Sequence, residues 1–187
     1  MKLKIILATT RPSRKGPFIG DWIFQIAQQY KEFEVELLDL AKINLPFLDE
    51  PKHPRFQEYT QQHTKDWSAK INEADAFIIV TAEYNYGYPA PLKNALDFVY
   101  KEWNNKPVAF VSYGGVAGGT RAVQQLKQIV GALKMVALVE GVIIPSFEQY
   151  IDEKEKKFNA NEIHQKSADT MMKELIRWTT ALKPLDL

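Results

Sequence analysis

The chain has no cysteine among its 187 residues. Disulfides, thiolate nucleophiles and thiolate metal sites are therefore excluded. Its three histidines, His53, His63 and His164, are scattered without metal-ligand spacing, so no metal is expected. No Ser-His-Asp arrangement carries a local signature either. An excess of charge is also missing: 24 Lys and Arg stand against 23 Asp and Glu, a formal net charge of +1. That balance gives no sign of nucleic acid or an anionic membrane as partner. Long apolar runs are absent as well. The opening MKLKIILATT has too short an apolar core for a signal peptide or a spanning helix, so a cytoplasmic protein is expected. There is no internal repeat, low-complexity tract or linker, and the length suits one domain over 1–187. The single charge run, Asp152 to Lys157, mixes signs and reads as a solvated loop.

What is present is an alternation of short apolar runs with helical stripes. Leu3–Ala8, Val35–Leu40, Ala76–Thr81, Val108–Ser112 and Met135–Val139 read as strands buried on both faces. Between them come stripes at helical spacing: Phe18, Trp22, Ile26 and Tyr30; then Phe56, Tyr59, His63, Trp67 and Ile71. Leu92, Ala95, Leu96 and Val99 carry the third helix, and Val123, Leu126, Val130 and Leu133 the fourth. Ala168, Met171, Met172, Leu175, Trp178 and Leu182 close the chain. Five strands alternating with five helices predict a doubly wound parallel sheet with right-handed crossovers. Such sheets bind ligands beyond the carboxyl ends of their strands, which directs attention to three loops.

The loop after the first strand, TTRPSRKGPF over residues 9–18, holds hydroxyls, cations and a glycine in front of a helix. Exposed amides and the positive end of a helix suit an anion there. Thr9, Thr10 and Ser13 can bond phosphate oxygens, and Arg11 can do so bidentately. An exposed basic turn with ordinary capping residues is the plainer alternative. The loop after the third strand, within TAEYNYGYPAPLKNALDF at residues 81–98, sets Tyr84, Tyr86 and Tyr88 beside one carboxylate, Glu83. Three rings suggest a flat ligand, although Tyr84 and Tyr88 also suit packing. The loop after the fourth strand, SYGGVAGGTR at residues 112–121, carries four of the chain's nine glycines. It is neither a dinucleotide fingerprint nor a P-loop. Two readings remain, a loop closely approached by a ligand or a tight strand-to-helix turn.

Together these blocks resemble the flavodoxin-like NAD(P)H-dependent FMN reductases, a family that includes quinone and azo-dye reductases. Ala8, Thr9 and Arg11 are similar to its G-S-x-R phosphate loop. AEYNYGYPAPLKNALD resembles P-E-Y-N-x-x-x-P-x-x-L-K-N-A-I-D, with Ala82 in place of the proline. SYGG-x-x-GG-x-R-A matches the glycine-rich loop of one branch, and the resemblance extends to about Pro145.

The resemblance implies a five-stranded sheet of order 2-1-3-4-5 and an FMN cofactor. Thr9, Arg11, Ser13, Gly16, Pro17 and Phe18 would surround the FMN phosphate. Glu83, Tyr84, Asn85 and Tyr86 would run along the isoalloxazine, mostly through backbone groups, and Ser112, Tyr113, Gly114 and Gly115 would meet its other polar edge. Hydride would pass from NADPH or NADH to flavin N5, and electrons then to a quinone, azo or flavin acceptor, in a ping-pong scheme without a dedicated catalytic residue. Arg11, Arg14 and Lys15 are candidates for the nicotinamide cofactor's phosphates. Lys93, Asn94 and Asp97 belong to a helix implied to join two copies, as a homodimer or homotetramer. An electron carrier, or a flavin-dependent sensor without NAD(P)H turnover, is the alternative function.

Overall fold

The computed structural model describes residues 1–186. Five strands, β1 (Lys2–Leu7), β2 (Glu34–Asp39), β3 (Ala76–Ala82), β4 (Pro107–Tyr113) and β5 (Val136–Ile144), form a parallel sheet in the order β2-β1-β3-β4-β5. The order is the expected one. Every residue of the two strands nearest the sheet's far half, β3 and β4, is buried, which is why their sequences run apolar without alternation.

Two helical layers cover the sheet. Ile5, Leu7, Ile78 and Val80 face α1 (Gly16–Ala27) and α6 (Glu162–Leu182), where Ile19, Ile23, Met171 and Leu175 meet them. Ile6, Phe77 and Ile79 face α3 (Gln62–Asn72), α4 (Ala90–Asp97) and α5 (Thr120–Ala132) through Trp67, Leu92, Leu96 and Leu126. A single-turn helix, α2 (Leu40–Ile43), follows β2 directly and is capped by the Asp39 carboxylate at the Ala41 amide. Past the sheet, β6 (Ile151–Asp152) and β7 (Lys157–Phe158) pair antiparallel, and the mixed charge run turns between them.

Two boundaries differ most from the sequence reading. The second long helix begins at Gln62 rather than at Phe56. Pro54 to Phe56 is instead a 3-10 turn, Gln57 takes a left-handed φ of 57°, and Phe56 is 51% exposed. Its place in the periodic stripe was coincidence; the helix is started by Glu50, whose carboxylate accepts from the Thr60 and Gln61 amides. The fifth strand runs on to Ile144 instead of stopping at Val139. It is an edge strand, so Val139 is exposed, and its pairing shifts opposite Val108 and Phe110. Gly141 sits at that shift because a Cβ there would lie 2.7 Å from the Phe110 carbonyl oxygen. His164, on the first turn of α6, is buried and closes that helix's capping box with Asn161.

Candidate active site

Parallel order places the carboxyl ends of β1, β3 and β4 side by side, and their three loops share one edge of the sheet. In the first loop, Pro12 and Ser13 are the central residues of a turn closed by the Arg14 amide on the Arg11 carbonyl, 3.2 Å. Ser13 takes a φ of 61° there. The chain then enters α1 with Pro17 in its first turn and no side-chain cap. Gly16 has a steric reason: a Cβ would lie 2.5 Å from Thr9 Oγ1 and 2.9 Å from the Tyr113 hydroxyl. Those two hydroxyls are themselves 3.3 Å apart. Burial pushes the Tyr113 phenol up to about 12, so it stays a neutral donor and acceptor. Among the described residues, the Ser13, Lys15 and Gly16 amides have no intramolecular acceptor. Arg11 is exposed, with its guanidinium 6.0 Å from the Tyr84 ring.

The other cations of this loop are committed elsewhere. Arg14 grips Asp39 with both terminal nitrogens, at 2.8 and 2.7 Å, and also donates to the Thr9 carbonyl at 2.7 Å. Lys15 pairs with Glu153 of the β6–β7 turn at 2.5 Å. Arg14 and Lys15, two of the candidates for nicotinamide phosphates, are thus each paired with a carboxylate in this structure. Arg14 instead ties the loop to the end of β2, an interaction no sequence spacing announces.

The second loop is a two-residue hairpin. Tyr84 and Gly87 exchange both backbone hydrogen bonds, at 2.8 and 2.9 Å, and the central Asn85 and Tyr86 have φ of 49° and 70°. Positive φ at both positions is a type I′ turn, which favours Asn-Gly. Asn85 suits it; Tyr86 is strained by roughly 1 kcal/mol or more. The amides of Asn85 and Tyr86 have no intramolecular acceptor among the described residues. Tyr88 is half-buried and packs against the α3–α5 side of the core.

The Glu83 carboxylate does not face open space. It accepts from the Arg121 amide at 3.1 Å and pairs with the Arg121 guanidinium at 2.6 Å. That guanidinium lies 3.8 Å from the centroid of the Tyr86 ring, and Gln125 Nε2 donates to the Tyr86 carbonyl at 3.1 Å. Arg121 is thus the residue the sequence reading missed. It stood in the glycine-loop block, but nothing in the sequence marked Glu83 of the neighbouring loop as its partner.

In the third loop the glycines divide. Gly118 and Gly119 have φ of 58° and 84°, and a Cβ on either would collide with β4 or β5 at 2.6–2.9 Å. Those two make the turn. Gly114 is closely packed, whereas a Cβ on the exposed Gly115 would meet nothing within 4 Å. The Ser112 hydroxyl donates to the Gly118 carbonyl at 2.8 Å and fixes the same turn. The tight-turn reading of the glycine cluster thus holds for Gly118 and Gly119.

The residues brought to one edge fit a flavin phosphate. The glycine cradle against Thr9, the uncapped helix start and a cation without an acid partner are the donor set such a group needs. The order β2-β1-β3-β4-β5 with three ligand-type loops at its carboxyl edge defines a flavodoxin-like α/β protein. The family model for NADPH-dependent FMN reductases matches residues 1–149, and the chain belongs to that family. An NAD(P)H-dependent FMN reductase of Schizosaccharomyces pombe is 42% identical over 174 residues, covering 84% of this chain and 86% of that one. An NAD(P)H:quinone oxidoreductase of Solanum tuberosum is 38% identical over 101 residues, 51% of this chain and 49% of the other. The flavoenzyme NAD(P)H:(acceptor) oxidoreductase FerB of Paracoccus denitrificans superposes with a TM-score of 0.75 at 18% identity, covering 97% and 98% of the two chains; that likeness speaks to the fold.

Proposed function

We propose that this chain is an FMN-dependent oxidoreductase that takes reducing equivalents from NAD(P)H and delivers them to quinone or flavin acceptors. Family membership and the relatives named for FMN and quinone reduction support the reaction class. The observation that carries the reading is the first loop: Gly16 packed against Thr9 and Tyr113 under a helix start without a side-chain cap.

FMN, when bound, supplies a ring system that accepts hydride and returns electrons singly or in pairs. The chain's own residues bind and orient. Thr9, Ser13 and Gly16, with Arg11 beside them and Pro17 and Phe18 behind, hold the phosphate. The turn amides of Asn85 and Tyr86, held in place by Glu83 and Tyr84, read one polar edge of the ring, and the backbone of Ser112 to Gly115 reads the other. No side chain is assigned a proton transfer; Tyr113 keeps its proton because of burial. Reductant and acceptor use the same open side in turn, which is the ping-pong order.

Purified protein titrated with FMN is expected to quench the flavin's fluorescence at one equivalent, and the complex to oxidise one equivalent of NADPH by itself and to turn over repeatedly once a quinone is added. Initial rates at several quinone concentrations should give parallel reciprocal lines. Absence of FMN binding overturns the reading; FMN binding without NAD(P)H turnover replaces it with an electron carrier or sensor.

A further inference from the structure

Tyr86 holds the second central position of the hairpin turn at a φ of 70°, where glycine would sit without strain. Backbone strain kept in a binding loop points to a use for the side chain that bears it. The ring is no buried prop, since the residue is 65% exposed. Nor is it loose. The Arg121 guanidinium lies 3.8 Å from the ring centroid, and Gln125 Nε2 donates to the Tyr86 carbonyl at 3.1 Å. Arg121 and Gln125 stand one turn apart on α5, so that helix fastens both the ring and the backbone of Tyr86.

Arg121 is itself held by Glu83, through Nη2 at 2.6 Å and through its amide at 3.1 Å. Its side chain is still 41% exposed, and Nη1 has no acceptor among the described residues. An aromatic ring with a fixed cation behind one face offers the other face to a further flat group. The spare guanidinium N–H groups suit phosphate or ribose oxygens attached to that group. A flat base carrying phosphate is a nucleotide. An uncharged ring alone would leave the guanidinium donor unused.

We infer that Tyr86 and Arg121 form a subsite for the adenosine half of the nicotinamide dinucleotide, with adenine stacked on the Tyr86 ring and a phosphate oxygen on Arg121. The inference rests on the proposed function and deepens it. There the Asn85 and Tyr86 amides meet the polar edge of the isoalloxazine, so a group on the Tyr86 ring lies beside the flavin rather than over its reacting nitrogen. What stacks on Tyr86 is then the remote end of a ligand whose other ring reaches the flavin. The dinucleotide has that form, two rings joined through a pyrophosphate. Binding at its remote end serves to orient the end that reacts.

The test compares NADPH with reduced nicotinamide mononucleotide, which carries the same hydride but no adenosine, on the FMN-loaded protein with one fixed acceptor. Tyr86→Ala should lower the ratio of kcat/KM for NADPH to that for the mononucleotide by about tenfold, the scale of one base–aromatic stack. Tyr86→Trp restores a ring and should keep the ratio near that of the unaltered protein. Phe56→Ala removes an exposed ring from the 3-10 turn at Pro54–Phe56 and should leave the ratio unchanged. Calorimetric titration of 5′-AMP into the oxidised complex reads the subsite without turnover, and Tyr86→Ala should weaken that binding about tenfold as well. An unchanged ratio in Tyr86→Ala, an equal fall in Phe56→Ala, or no binding of 5′-AMP by the unaltered protein overturns the inference. So does a changed oligomeric state in Tyr86→Ala with unchanged 5′-AMP affinity, which would make the ring a contact between copies. Failure of the unaltered protein to bind FMN would strike the proposed function instead, and is read separately by flavin fluorescence.

Discussion

Glu83 and Arg121 are joined twice, backbone to carboxylate at 3.1 Å and guanidinium to carboxylate at 2.6 Å. The acid leaves the second loop and the arginine opens α5, so this double contact sets the distance between two walls of the site. Glu83 acts as a strut. Its carboxylate is nearly buried, with side-chain exposure of 8%, so removing one partner leaves the other poorly compensated. Glu83→Ala is expected to lower stability by about 2 kcal/mol and to weaken FMN binding about tenfold. Glu83→Gln, which still accepts from the Arg121 amide, should recover part of both. Chemical denaturation and flavin-fluorescence titration measure the two effects.

Tyr86 stands where the turn asks for glycine. Its φ of 70° is tolerated because the ring lies on the Arg121 guanidinium. Tyr86→Gly should raise stability by up to about 1 kcal/mol, or about 2–4 °C in Tm, by relieving the left-handed strain. The same change should reduce turnover, because the ring and its hold on Arg121 are gone. A variant that is both less stable and fully active would contradict this account.

Two glycines give a paired prediction. Gly16→Ala forces a methyl against Thr9 Oγ1 and the Tyr113 hydroxyl, and should weaken FMN binding by at least about tenfold. Gly115→Ala meets open space and should leave the fold's stability within about 0.5 kcal/mol. Thermal melts separate the cases, since a lesion confined to the first loop lowers FMN affinity more than it lowers the apoprotein's Tm.

His164 predicts a pH dependence. Burial lowers its pKa below the ordinary 6.5, and the capping box needs Nδ1 unprotonated to accept the Asn161 amide at 3.3 Å. The unfolded chain therefore binds this proton more readily than the folded one, and stability rises with pH across the window. The contribution is complete above about pH 6.5 and is lost as pH falls through the lowered folded value. Proton NMR of the ring should show that lowered value, and His164→Gln should flatten the acid side of the stability curve. An imidazole titrating above 6.5 would refute it.

Much of this fold was legible because its middle strands are buried on both sides: an uninterrupted run such as Ala76–Ala82 has few other uses. The carboxyl-edge loops followed from that topology. Errors arose where a local pattern had a rival cause. Phe56 kept helical spacing across a proline turn, and Glu140–Gly141 hid the continuation of an edge strand whose alternate residues face water. In the site, backbone roles were readable from glycine and asparagine, but partner choice was not. Nothing in the spacing tells that Arg14 takes Asp39, that Lys15 takes Glu153, or that Glu83 turns toward Arg121. Those pairings depend on where separate elements meet in three dimensions.

The Lys15–Glu153 pair reaches past the matched family region, which ends at residue 149. Its two side chains are 25% and 69% exposed, so the contact is worth at most about 1 kcal/mol. That modest value makes the β6–β7 turn an adjustable part. Exchanging residues 153–156 for a neutral or basic turn changes the field over the first loop while every loop residue stays as it is. Anion affinity at the first loop is then expected to respond to a short hairpin outside the matched region rather than to edits of the site.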